Sequence, residues 1–425
     1  MSSNSALYIA TTALNAQSTN LSMISTNLAN AGTVGYKAAD MSFRTLITDP
    51  YSQNSTSSGG VTYSSTQNVA MQGLVESAGS STDMAIDGNG FFVVSDTANG
   101  ENFAYTRAGG FSTDSEGYLV NDSGYYLQGW PLDSAGNAVT AANGSVSSLE
   151  VVNVSAVTGS AAATTDIGFV ANLPADAAVG DAFVTSTEAY DSLGVSHTID
   201  YAWQKTGINT WELSFSDPVS TADPTITTGT SAGGPVQIVF NPDGTLASTT
   251  PAQVDLTVTG WTSGAANSTI TYDLGTVGRA DGLSQYASSN GSNPAVDLTS
   301  ASQNGLRLGA FETAYIDNSG RIVATFDNGQ ERPIYQIPLA TFNNPDGLIA
   351  GTGNVYLASE QSGDYVLNNP GHGGAGFVMG FALESSTVDT SKELTDMIVA
   401  QQAYSAASQI ISTSDDMFRE LMNAL

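Results

Sequence analysis

The chain has no cysteine in its 425 residues, so neither a disulfide nor a thiolate metal site can brace it. Stability must come from packing and from assembly. Basic residues are scarce: 10 Lys and Arg stand against 40 Asp and Glu, a formal charge of −30. Such a surface repels phosphate backbones, which argues against nucleic acid as a partner. No run of about 18 apolar residues occurs, so no membrane-spanning helix is expected. The N-terminus lacks the basic start and apolar run of a cleaved signal peptide. That leaves a cytoplasmic protein or one exported without cleavage. Only two histidines exist, His197 and His372, in different blocks of the chain, a poor basis for a histidine metal site.

What is present falls into helical ends and a β-like interior. Leu7, Leu14, Leu21 and Leu28 recur every seven residues, and Ala10, Gln17, Ile24 and Ala31 follow each by three. This is an a/d seam over about three and a half heptads, with Asn30-Ala31-Gly32 as its stop. At the other end Met397, Tyr404, Ile411, Phe418 and Leu425 form one heptad row, accompanied by Leu394, Ile398 and Met422. The companion row also holds Gln401, Ser408 and Asp415, so this seam is apolar on one side only. Asp389 or Thr390 can cap a helix running from about 390 to the end, with Glu393 completing a Thr-x-x-Glu box.

An amphipathic helix is ordinarily a core helix of a globular domain. Two features point elsewhere. The helices sit at opposite chain ends, and the first 36 residues contain no Asp, Glu, Lys or Arg. Thr11, Thr12, Ser18, Asn20, Ser22 and Ser25 occupy the face where charge is usual. Uncharged hydroxyls and amides desolvate at lower cost than ions, so neighbouring chains can pack on them. The expected assembly interface is therefore Leu7, Leu14, Leu21, Ile24 and Leu28 in the first helix. In the second it is Leu394, Met397, Ile398, Tyr404, Ile411, Phe418, Met422 and Leu425.

Between 73 and 384 short apolar runs alternate with turn signals. Met84-Ala85-Ile86, Asp87-Gly88-Asn89-Gly90 and Phe91-Phe92-Val93-Val94 read as strand, turn, strand, in the manner of a hairpin. Tyr118–Leu127, Phe240–Gly244 and Tyr315–Val323 repeat the theme. Segment 51–68, rich in Ser, Thr and Gly, reads as linker. A middle block carries its own aromatic strands with Tyr201, Trp203, Trp211, Phe215 and Trp261. The expected fold is mainly β, with nested insertions, between N- and C-terminal helices that form a coiled-coil-like inner domain. The expected division is 1–32 helix, 33–72 linker, 73–148 β domain, 149–303 inserted outer β domain, 304–384 β domain again, and 385–425 helix.

Catalytic signals are weak. No His-Glu-x-x-His, Gly-x-Ser-x-Gly or Walker pattern occurs. Gly371-His372-Gly373-Gly374-Ala375-Gly376 matches Gly-x-Gly-x-x-Gly, but Asn-Asn-Pro precedes it and Phe377-Val378-Met379 continues as a strand. A dinucleotide site needs strand before and helix after, so this reads as a loop. Asp87-x-Asn89 and Asp317-Asn318 lack the spacing of a calcium loop and read as turns. No cofactor, metal or catalytic residue is expected.

Leu14-Asn15-Ala16-Gln17-Ser18-Thr19-Asn20-Leu21, Ile24-Ser25-Thr26-Asn27-Leu28-Ala29-Asn30 and Thr33-Val34-Gly35-Tyr36-Lys37 resemble the N-terminal signature of the flagellar rod and hook family of axial proteins. Asp83 to Val94, Tyr105-Thr106-Arg107-Ala108-Gly109 and Gly117-Tyr118-Leu119-Val120 follow in the family order. Glu384 to Asp389 and Met397 to Tyr404 resemble its C-terminal helix motif. Ala189–Thr198, Trp211-Glu212-Leu213 and Asn344-Pro345-Asp346-Gly347-Leu348 are similar to the hook members. Gln402 stands where the family often has Arg, and Ala31-Gly32 where a bulkier pair is common.

The resemblance implies a structural subunit that polymerises with itself into the flagellar hook, a curved flexible joint carrying torque from rod to filament. It implies export through the flagellar type III apparatus to an extracellular site. It also implies the distal rod protein, the hook cap and the hook–filament junction proteins as partners. Two alternatives stay open: a distal rod protein, which would assemble straight and rigid, and a surface adhesin, which would work as a stable monomer.

Overall fold

The computed structural model describes residues 3–47, 58–133, 135–139, 144–288 and 293–423. It is mainly β-stranded, with one long helix at each end of the chain: α1, Ser3–Ala29, and α2, Thr390–Asn423. Both lie where the heptad rows place them. The α2 start differs in detail from the capping box. Asp389 Oδ1 accepts the Ser391 and Lys392 amides at 2.9 and 3.2 Å, whereas the Glu393 carboxylate turns away to Asn27 of α1.

Segment 33–72, expected as linker, is instead partly structured. Strands β1, Ala39–Ile47, and β2, Ser58–Gln67, pair antiparallel from Ala39↔Gln67 to Thr45↔Val61. Composition concealed this ribbon because its Ser and Thr lie on a surface that needs no apolar row.

The chain divides into two compact units. The first comprises Met1–Val157, Thr313–Thr325 and Glu331–Leu425. Its main sheet runs in the order Glu331–Gln336, Tyr126–Pro131, Phe91–Ser95, Phe103–Thr106, Val355–Leu357. Phe91–Ser95 is buried along its whole length. Around it Phe91, Tyr105, Trp130, Ala340 and Tyr356 form a core, with Phe342 edge-on to Tyr105 at 4.8 Å and to Phe91 at 5.9 Å.

The 84–95 segment has its two strands, but they do not pair with each other. Met84–Asp87 pairs with Phe377–Gly380, while Phe91–Ser95 pairs with Phe103–Thr106. Gly88 and Gly90, at φ +106° and +129°, turn the chain between two sheets rather than back on itself. Strand Val75–Ser77 pairs with Ala382–Glu384. These two pairings bring the returning end of the chain beside the outgoing end.

The second unit, Thr158–Glu312 with Phe326–Gln330, is built of two sheets over one core. Ser196–Gly207 alternates buried and exposed residues, so that His197, Ile199, Tyr201, Trp203 and Lys205 all point inward. Phe169 and Tyr272 of the other sheet stack against one another at 6.0 Å, and Phe169 meets Tyr201 edge-on at 5.0 Å. His197 is a structural fastener. Its Nε2 faces Asp191 Oδ2 at 3.2 Å and its Nδ1 faces Thr228 Oγ1 at 2.8 Å, while its ring lies 4.3 Å from that of Trp261.

Candidate functional site at the paired termini

The two terminal helices pack against each other, α1 ending where α2 begins, so they run antiparallel. The buried residues of the two helices are mostly small, with Ile24, Asn27 and Glu393 as the larger ones. On α1 they are Ala10, Ala16, Ile24 and Asn27; on α2 they are Glu393, Ala400, Ala407 and Ser414, one every seven residues. Small side chains let two helix backbones approach closely. They also remove little apolar area, at ~0.8 kcal/mol per buried methylene, so the pair by itself is weakly held.

The large apolar residues predicted for the interface are mostly outside this seam. Ile24 is buried, whereas Leu7, Leu14, Leu21, Leu28, Met397 and Ile411 are only partly covered. Leu394, Ile398, Tyr404, Phe418 and Met422 are exposed, by 49, 56, 42, 36 and 78%. Leu425 lies outside the described residues. Val399, Ile410 and Met417 add to the exposed set, at 58, 48 and 61%. The heptad period was sound, but the row the chain buries within itself is the small one.

Part of the hydroxyl face of α1 is satisfied internally. Thr11, Thr19, Ser25 and Thr26 each donate to the carbonyl four residues back, at 2.8 to 3.0 Å. Hydroxyls already bonded lose little when water is removed, which leaves this face ready to be covered. Beside it lies β2: Thr12 Oγ1 accepts the Val61 amide at 3.3 Å, and Thr19 Oγ1, its own proton given to the Asn15 carbonyl, accepts from the Tyr63 hydroxyl at 3.2 Å.

At the root of both helices sits a buried charge cluster that sequence reasoning did not single out. Lys37 Nζ donates to Glu384 Oε1 at 2.5 Å and also to the Met71 carbonyl. Arg107 Nη1 reaches Glu384 Oε2 at 3.2 Å, and its Nη2 donates to the Gly88 carbonyl at 2.8 Å. The Gly73 amide donates to Glu384 Oε1 at 2.7 Å, and the guanidinium lies 5.2 Å from the centre of the Phe91 ring. Lys37 and Glu384 side chains are fully buried, and Arg107 nearly so. Burial pulls the Lys37 and Arg107 pKa values down; the Glu384 carboxylate pulls each back up.

One carboxylate thus holds the segment after α1, the turn at Arg107 and the strand before α2. Gly35 completes the joint. Its amide donates to the Glu384 carbonyl at 2.8 Å, its φ is +67°, and a Cβ there would meet the Ala108 nitrogen at 2.6 Å. The available signal was a lone charge inside otherwise uncharged motifs: Lys37 after Thr33–Tyr36, Arg107 after Tyr105-Thr106, and Glu384 before Ser385-Ser386.

Among the described residues no three His, Asp or Glu side chains converge as a metal ion would require. No helix among the described residues is long and apolar enough to cross a membrane. The site offers packing surfaces and a rigid joint.

Sequence comparison finds relatives over nearly the whole chain. Family models described as flagella basal body rod protein, flagellar hook protein FlgE/F/G D1 domain, flagellar basal body protein FlaE D2 domain and flagellar basal body rod FlgEFG protein C-terminal match residues 7–37, 85–164, 155–306 and 380–424. The flagellar hook protein FlgE of Rhizobium meliloti is 36% identical over 420 residues, 96% of each chain. That of Brucella abortus is 35% identical over 415 residues, again 96% of each chain. That of Salmonella typhimurium is 32% identical over 429 residues, 97% of this chain and 98% of its own. The Helicobacter pylori flagellar hook protein FlgE2 structure aligns with a TM-score of 0.42 and 16% identity, over 73% of this chain and 99% of that one. With whole-length relatives above 30% identity and four family models in chain order, the chain belongs to the flagellar hook protein family.

Proposed function

We propose that this chain is the structural subunit of the flagellar hook, polymerising with itself into a curved, bendable joint that transmits torque from rod to filament. In this reading segments 1–32 and 385–425 build an inner tube around the export channel, and the β units face outward. The observation that carries it is the terminal helix pair: it buries Ala and Ser inside and leaves Leu394, Ile398, Val399, Ile410, Met417 and Met422 outside. Such a surface is costly in water and useful only when other copies cover it. The hydroxyl-lined, charge-free face of α1 suits contact with neighbours or with a polar lumen.

The subunit is exported through the flagellar type III apparatus without cleavage and acts outside the cell, between the distal rod protein and the hook–filament junction proteins, growing beneath a cap. No catalytic step belongs to this role. Electron microscopy of the concentrated full chain tests it: hollow, curved tubes of uniform width are expected. Straight rigid rods would favour a distal rod protein. A chain trimmed to about 35–385 that still built normal tubes would overturn the role given to the helices.

A further inference from the structure

Glu393 is 5% exposed and lies in the first turn of α2, facing α1. Its Oε1 accepts from Asn27 Nδ2 at 3.0 Å. Asn27, 1% exposed, spends its whole hydrogen-bonding capacity at this point. Its amide also donates to the Ala39 carbonyl at 2.9 Å, while its Oδ1 accepts the Ala39 amide at 3.1 Å and the Tyr36 hydroxyl at 3.2 Å. A cavity of about 250 Å³ borders the carboxyl, lined by Gln17, Asn20 and Ile24 of α1, Asp40 and Phe43 of β1, and Asp396 of α2, among others. The buried Gln17 Oε1 has no partner.

The groups facing Glu393 are mostly acidic. α1 has no ionisable side chain near it; the segment after α1 supplies Tyr36, β1 supplies Asp40, and α2 itself supplies Lys392 and Asp396. Lys392 is drawn to Asp40 at 3.6 Å. The Asn27 amide and the neighbouring Lys392 ammonium favour the ionised carboxylate. Burial, with Asp396 and Asp40 adding to it, outweighs them and raises the Glu393 pKa above the ordinary glutamate value. Tyr36 is raised in turn, by burial and by Glu393.

We propose that Glu393 is a proton-linked latch between the terminal helices: uncharged, it lets α1 and α2 close at their common root, and ionised, it loosens them. The proposal deepens the hook reading, since helix pairing is the surface on which other copies would assemble. The paired state binds the proton more tightly than the separated helices, so pairing is fully present below the ordinary glutamate pKa and weakens as pH rises through the raised value.

The absence of cysteine permits a direct test in the full chain. Ser18→Cys on α1 and Gln402→Cys on α2, both exposed, take spin labels, and electron–electron resonance reads the fraction of closely paired helices between pH 4.5 and 8. That fraction should fall at least twofold with rising pH. In Glu393→Gln it should stay at the acid value throughout, and Asp396→Asn should move the transition to lower pH. A flat profile in the parent chain, an unchanged slope in Glu393→Gln, or no close pair at any pH would overturn the latch. Sedimentation of the same samples separates the two readings. A pH-dependent pair that never forms tubes sinks the hook reading alone; tubes built on a pH-independent pair sink the latch alone.

Discussion

Glu384 is the residue on which the joint between helices and β unit turns. Two cations share its carboxylate in a site closed to water. Glu384→Gln keeps the shape and removes the charge, leaving Lys37 and Arg107 uncompensated. A loss of ~3–5 kcal/mol is expected, since removing one partner of a buried ionic group strands the others. Urea denaturation of the first unit, followed by far-UV circular dichroism, checks it; a loss below about 1 kcal/mol would place the cluster among ordinary surface pairs. Asn27→Ala is the companion case. It strips partners from Glu393, the Tyr36 hydroxyl and both backbone groups of Ala39, and ~1–3 kcal/mol of loss is expected for such unsatisfied buried groups. The signal for both residues lay in their surroundings, polar residues within motifs otherwise of Gly, Ser and apolar side chains. Their partners could not be read off: Lys37 and Glu384 are 347 residues apart in sequence.

At the scale of the element, α2 presents two different faces. Ala400 is 2% exposed against α1, so Ala400→Leu forces the helices apart and should abolish their pairing. Leu394→Ser with Ile398→Ser changes residues already in water. The thermal midpoint of the soluble chain should move by no more than 2 °C, while the concentration needed for polymerisation rises at least tenfold. Light scattering against concentration measures the second effect. Equal, small effects on both would mean that this face is never covered. Heptad periodicity made the two helices legible from sequence. Which row turns inward was not legible, because that depends on how closely two backbones approach. Close approach selects Ala and Ser over Leu and Tyr.

At the scale of the molecule, the −30 charge opposes every association of one copy with another. Raising monovalent salt from about 0.02 to 0.2 M shortens the screening length severalfold and should accelerate tube growth without altering the fold of either unit. Turbidity kinetics test this; growth slowed by salt would show that ion pairs between copies dominate instead. The second unit has its own core, so Trp203→Ala should destabilise that unit by ~3–5 kcal/mol and leave the terminal helix pair intact. Differential scanning calorimetry resolves the two units if each melts by itself.

The amino-acid order by itself determined the helical ends, the β interior, the aromatic rows of the second unit and the chain's likeness to axial flagellar proteins. Each is a local pattern of period 3.5 or 2, or a contiguous motif. Tertiary structure alone decided that Met84–Asp87 leaves its neighbour to pair with Phe377–Gly380, and that Ser/Thr-rich 39–67 includes a strand pair. It alone also decided that one carboxylate near the C-terminus gathers charges from distant motifs, and that the large apolar residues of α2 stay in water. These outcomes depend on which distant segments meet and how closely, and no local period encodes that.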